Sequence, residues 1–198
     1  PDPLAAHLAT GYTYRDGTYE AIPIYYAHDT PEGGLSATAA DMAAFMIAHL
    51  QGGQYQGARI LQEGTAEEMH TQQFTHHSEV PGMTYCFKER TINGQRVIGH
   101  GGDQFTFASQ LLLLPEQNEG FFVVYNRFDD ALREELISAY MDHFHPAQAQ
   151  AVAPETLSLS PEELSRFTGA YRFVRYPSST IGKLIAFGPG KYSIAMSK

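Results

Sequence analysis

The chain has 198 residues, 43% hydrophobic and only 18% charged, a balance that supports a sizeable core and excludes a disordered chain. Its formal charge of −9, from 22 acidic against 13 basic residues with no basic run, argues against nucleic acid as a partner, because phosphate binding needs clustered Lys and Arg. The single cysteine, Cys86, excludes an internal disulfide and a multi-cysteine zinc site, and no apolar stretch approaches the roughly 18 residues of a membrane span.

The opening, Pro1-Asp2-Pro3-Leu4, has neither an initiating Met nor a signal peptide and reads as a cut into a longer polypeptide. Tyr12-Thr13-Tyr14 and Ile22-Pro23-Ile24-Tyr25-Tyr26 alternate like short strands among loops, and Pro31 to Ser36 is a turn cluster. Thr38 and Asp41 fit a capping box, and Met42, Phe45, Met46 and Leu50 recur at helical spacing before Gly52-Gly53, which predicts a helix over 38–51. Thr65, with Glu68 three residues on, predicts a second helix over 65–72. Met83 to Lys88 and Gln95 to Gly99 read as two strands joined through Asn93-Gly94, a hairpin signal, with Cys86 a small buried residue of the first.

Phe105 to Leu114 and Gly120 to Tyr125 form a further hairpin, and the unbroken run Leu111 to Leu114 predicts a strand covered on both faces. Asp129 or Asp130 caps a long helix whose apolar stripe is Leu132, Leu136, Ile137, Tyr140, Met141 and Phe144. Residues 146–160, rich in Ala, Gln, Pro and Ser, read as a linker. Ser160-Pro161-Glu162-Glu163 opens a short helix, Tyr171 to Phe173 is a strand, and Leu184 to Phe187 with Tyr192 to Ala195 flank Gly188-Pro189-Gly190 as a hairpin. The expected class is α+β, an antiparallel sheet of about five strands flanked by helices, followed by a short appended β segment.

The chemistry concentrates at His100-Gly101-Gly102-Asp103, a titratable side chain beside bare backbone at a strand edge, where a ligand can approach closely. On residue chemistry alone, a strand-edge His in a tight turn is an equal alternative. Two blocks carry a resemblance. Pro31-Glu32-Gly33-Gly34-Leu35-Ser36-Ala37-Thr38-Ala39-Ala40-Asp41-Met42 is one. His100-Gly101-Gly102-Asp103 with Phe107-Ala108-Ser109, Leu114-Pro115-Glu116 and Val123-Val124-Tyr125-Asn126 is the other, and Ile60-Leu61 to Met69 fits between them. Together they resemble the β-lactamase-related serine hydrolases, the class C β-lactamase and penicillin-binding-protein-like family, over residues 1–145.

The resemblance implies the C-terminal portion of a β-lactamase/transpeptidase-like domain over 1–145, a linker over 146–160, and the start of a small appended β-rich module over 161–198. It also implies acyl transfer, in which a Ser of an S-x-x-K motif attacks a carbonyl and a K-T-G strand closes the site. His100 takes the Lys position of that strand, where it orients or attracts a substrate carboxylate or joins the proton relay. Gly101 and Gly102 let the substrate-binding backbone approach the acyl group. The backbone N–H of Asp103 is one oxyanion donor, with the nucleophile's own N–H as the other. Thr106 stands where the family usually has Gly, so its Cβ is expected to narrow the groove.

No S-x-x-K occurs in the 198 residues, nor a Y-x-N or S-D-N loop. The resemblance places those parts before the Gly-Gly-Leu block, upstream of Pro1. The parent protein is then expected to be a serine hydrolase of β-lactamase, D-peptidase or esterase type, extracytoplasmic, acting on a small-molecule, ester or peptide substrate, and these residues alone to be inactive. The alternative is a non-catalytic binding or regulatory module. A self-contained hydrolase pairing His100 with Ser109 lacks an orienting acid at workable spacing. No cofactor is expected, and His76-His77 and His143-x-His145 lack the spacing and carboxylate of a zinc hydrolase site. Substrate choice and oligomeric state stay open.

Overall fold

Thr38 starts the first helix as its residue chemistry dictates. The Asp41 N–H donates to Thr38 Oγ1 at 3.2 Å and the Thr38 N–H donates to Asp41 Oδ2 at 2.9 Å, so two otherwise unpaired donors are satisfied reciprocally. In the computed structural model this helix, α1, spans Ala39–Leu50. The structure describes residues 5–23, 33–104, 106–127, 129–147, 158–172 and 191–195. The chain divides into two compact units, Pro1–Gln150 and Ala151–Lys198.

The first unit is built on a four-stranded antiparallel sheet of β5 (Lys88–Ile92), β6 (Gln95–Gln104), β7 (Phe107–Leu114) and β8 (Glu119–Tyr125), in that order. Before it come the hairpin β1 (Gly11–Arg15) and β2 (Thr18–Ile22) and the two-residue strands β3 (Gln54–Tyr55) and β4 (Ala58–Arg59). The expected five-strand sheet is therefore four strands among the described residues. The β1–β2 hairpin leans on the sheet's end without joining it, Tyr12 N–H donating to Asn126 O at 2.9 Å and Asn126 Nδ2 donating to Thr10 O at 2.7 Å. Asn93-Gly94 makes the β5–β6 turn with both φ positive, +51° and +79°, as a two-residue hairpin of this twist requires.

Alternation along β7 sends its leucines to two faces. Leu111 and Leu113 pack with Ile98, Phe87 and Met46 of α1. Leu112 and Leu114 pack with Val97 and with Ile137 and Met141 of the long helix. All four leucines are buried, so the strand is covered on both sides as its composition demands. The long helix, α3 (Asp130–Phe144), is capped by Asp129, whose side chain accepts from Leu132 N–H. Its buried stripe is narrower than expected. Ile137 and Met141 are inside, whereas Leu132, Leu136 and Phe144 are exposed.

Three local expectations are corrected. The second helix, α2, spans Glu63–His70, with Gln62 at its N-cap and Thr65 inside the first turn, because Gln62 O already accepts from Thr65 and Ala66 N–H and the turn serves to bury Ala66. The first strand of the hairpin begins at Lys88, not Met83. Thr84 N–H donates to Phe87 O at 2.9 Å, which closes a turn around Tyr85-Cys86 and drives Phe87 into the core. Cys86 is consequently exposed with φ +69°, not buried in a strand.

α1 and α2 meet through two histidines. His49 Nδ1 and His70 Nε2 lie 3.2 Å apart, with the Phe87 ring edge-on to both.

In the second unit, Ser160 and Glu163 form a capping box on α4 (Pro161–Ser165). β9 (Gly169–Arg172) pairs with β10 (Lys191–Ile194), so Tyr192 finds its strand partner in Tyr171. The expected partner segment Leu184 to Phe187, the Gly188-Pro189-Gly190 turn, Phe173 and most of the linker lie outside the described residues, as do Phe105 and Ile24 to Tyr26.

Candidate active site

β6 is longer than its neighbour. β5 pairs with it only from Ile92↔Gln95 to Lys88↔Gly99, whereas β7 pairs with it out to Gln104↔Phe107. Residues 100–104 therefore have a strand on one side, and no strand among the described residues covers the other. Because Ile92 and Gln95 flank the two-residue Asn93-Gly94 turn, the alternation of an antiparallel ladder turns the N–H and C=O of Gln95, Val97 and Gly99 toward β5 and those of Gly102 and Gln104 toward β7. Those of Gly101 and Asp103 then face the open edge. Among the described residues no strand pairs with this edge, so apart from the Gly101 carbonyl, which His100 Nδ1 reaches, it is a backbone surface of the kind that accepts an extended ligand.

The four sequence-selected residues lie together on that edge, but their side chains divide between the two faces. His100 is exposed on the α1 face, in register with Leu111. Its Nδ1 lies 2.6 Å from Gly101 O, and a carbonyl accepts only from an N–H, so Nδ1 carries a proton and Nε2 is left to meet a ligand. Asp103 points to the opposite face, where Arg133 Nη1 donates to its Oδ1 at 2.5 Å.

The glycines are partly explained by the protein itself. A Cβ on Gly102 would lie 2.6 Å from Ser109 Oγ, and one on Gly101 would lie 3.1 Å from Gln110 Oε1 and 3.3 Å from Arg133 Nη1. Ser109 Oγ donates to Gly102 O at 3.3 Å and so serves the hairpin. Thr106 is buried, and a Cβ on Gly11 would fall 1.9 Å from its Oγ1. Its side chain thus lies against Gly11 of the β1–β2 hairpin.

On the α3 face, a cavity of about 220 Å³ is bordered by Lys88, Arg90, Gly101, Gln110, Arg133 and Glu134. Arg90 donates from both its terminal nitrogens to the Glu134 carboxylate, at 2.7 and 3.2 Å. Arg133 bridges Asp103 and Asp130 with its side chain only 12% exposed. Burial works against the charge on Arg133, but the Asp103 hydrogen bond and charge, and then Asp130, outweigh it and raise its pKa. Lys88 is the one lining cation with no ion pair among the described residues. Among the described residues no three His, Cys, Asp or Glu side chains gather where they could hold a metal ion, and no helix is long and apolar enough to cross a membrane.

Sequence reasoning missed Arg133. Its spacing from Asp130 was visible, but its reach to a strand thirty positions earlier depends on how α3 packs over the sheet. It also missed the His49–His70 contact, since neither residue belongs to a motif.

Comparisons with known proteins agree on one kinship. A family model described as Beta-lactamase matches residues 1–144. Among solved structures, the octameric penicillin-binding protein homologue from Pyrococcus abyssi superposes with a TM-score of 0.54 at 19% identity, over 83% of this chain and 36% of that one. The chain thus spans little more than a third of that protein's length, and the likeness is one of fold, the transpeptidase-like α+β arrangement. No protein of curated function matches the sequence.

Proposed function

The chain belongs to the beta-lactamase family of serine hydrolases, and on that premise we propose that residues 100–103 form one wall of an acyl-transfer site whose nucleophile lies outside these 198 residues. The observation that carries this reading is the open edge of β6, to which Gly101 and Asp103 turn their backbone N–H groups beside the exposed imidazole of His100. A carbonyl placed against that edge has its carbon open to a serine hydroxyl. As the serine oxygen bonds the carbon, its proton passes to the base supplied with the nucleophile, the C=O π pair moves onto the carbonyl oxygen, and the Asp103 N–H, with the nucleophile's own N–H, stabilises the charge there. Fixed donors of this kind are each worth roughly 10²–10³ in rate. His100, in the position the family gives to Lys, attracts a substrate carboxylate when protonated, or through Nε2 exchanges a hydrogen bond with the proton relay when neutral.

The absence of S-x-x-K from the 198 residues makes the nucleophile and its lysine the contribution of another segment. The substrate is then a small molecule, ester or peptide with a reactive carbonyl. By itself the chain should not turn over nitrocefin or a p-nitrophenyl ester. Saturable turnover that disappears when one of its own serines is replaced overturns the reading. The same absence supports a second reading, a non-catalytic binding module. The residues encoded ahead of Pro1 separate the two: an S-x-x-K followed some tens of residues later by Y-x-N belongs to the enzyme, and the lack of both belongs to the module.

A further inference from the structure

We infer that Arg133 is a positioning residue, which acts through the Asp103 carboxylate to fix the direction of the Asp103 N–H at the open edge. The inference rests on the oxyanion role proposed above for that N–H. Among strands, residues 100–104 pair with β7 alone, out to Gln104↔Phe107, and a strand end paired on one side opens easily. Something else must hold it. Arg133 projects from the first turns of α3, and its side chain keeps only 12% of its exposure. Its Nη1 donates to Asp103 Oδ1 at 2.5 Å and reaches Ser109 O at 3.4 Å, while Nη2 donates to Asp130 on its own helix. A single planar guanidinium thereby ties β6, β7 and α3 together, which a point charge on a flexible stem cannot reproduce.

Gly101 belongs to the same device. A Cβ there would come within 3.3 Å of Arg133 Nη1, so the glycine keeps open the path along which the guanidinium reaches Asp103. Asp130 holds the other limb of the fork, and the direction of the fork is thereby set from the helix, not from the strand. An oxyanion donor displaced by about 1 Å loses much of its effect, so a clamp at this point has a direct consequence for the chemistry while touching no substrate atom.

Amide hydrogen exchange, measured by NMR on the 198-residue chain, tests this without requiring catalysis. The reporters are Gly102 and Gln104, whose N–H groups face β7 on either side of Asp103, against Val97, Ile98, Leu112 and Leu113 in the core. Arg133→Gln is expected to speed exchange at the two reporters at least about 10-fold, with the core amides changing less than about 2-fold. Gly101→Ala should give the same local pattern with the arginine still present, and Arg133→Lys an intermediate one. Unchanged reporters, or a uniform rise across the sheet in both Arg133→Gln and Gly101→Ala, overturn the inference. In the polypeptide that also carries the nucleophile, Arg133→Gln should lower the acylation rate with little change in the concentration needed for half saturation. A local exchange response with no acylation in that polypeptide leaves the clamp standing and removes the oxyanion reading.

Discussion

His49 and His70 are two ordinary residues made unusual by where α1 and α2 place them. His49 is buried against Phe45 and Phe87, and burial holds its pKa below the usual value. Burial, followed by the nearby charges of His49 and Arg96, pushes His70 down to about 4. The charged groups facing the pair are Arg96, which donates to His70 O at 2.6 Å, and Glu89, which receives Arg96. The folded state therefore keeps His70 neutral while an unfolded chain takes up a proton near pH 6.5. Stability is complete above pH 6.5 and declines as pH falls toward 4, by on the order of 2 kcal/mol. Glu89 acts in a lower window. Burial would raise its pKa, but hydrogen bonds from Gln72, Gly82 N–H and Arg96 outweigh that and hold it down, so its contribution is lost only below the usual carboxylate range. Urea midpoints at pH 7.5, 6 and 5 should fall in step for the native chain and flatten in His70→Gln. An identical slope in that variant would remove the pair as the cause.

At the scale of elements, β7 joins the two halves of the core. Leu113 packs toward α1 and Leu112 toward α3, both essentially without solvent contact. Leu113→Ala and Leu112→Ala should each cost about 2–5 kcal/mol in a denaturant titration, whereas Leu136→Ala on the exposed side of α3 should cost under about 1 kcal/mol. Equal losses at all three positions would contradict the two-cluster arrangement. The same elements mark how far the sequence was readable. α1, the Asn93-Gly94 turn and the doubly covered strand were legible because capping chemistry, turn chemistry and an apolar run are local signals. Residues 83–88 were not, because Met83, Tyr85 and Phe87 alternate as a strand does, yet Thr84 and Phe87 bond to each other and bend the chain. Nor was the width of the α3 stripe, which depends on how much of the helix the four strands can cover. At the site, the HGG triplet marked the edge, but only pairing register set which N–H groups face outward, and only packing brought Arg133 there.

For the whole molecule, the charge and the missing motif weigh on function together. On the reading proposed above, the first unit offers an edge, an imidazole and an oxyanion donor, and Ser109, on the strand beside that edge, is engaged with Gly102 O. On that reading such a wall binds and polarises a carbonyl and leaves the acyl bond to a nucleophile supplied by another segment. The most direct measurement is covalent labelling by a penicillin, read by intact-mass spectrometry, on the 198-residue chain and on the polypeptide that carries it together with an S-x-x-K segment. The account predicts no adduct on the chain alone, and an adduct on the serine of that segment that forms at least about 10-fold more slowly in His100→Ala. An adduct on one of the chain's own serines, or labelling of the longer polypeptide that is indifferent to His100, would contradict it.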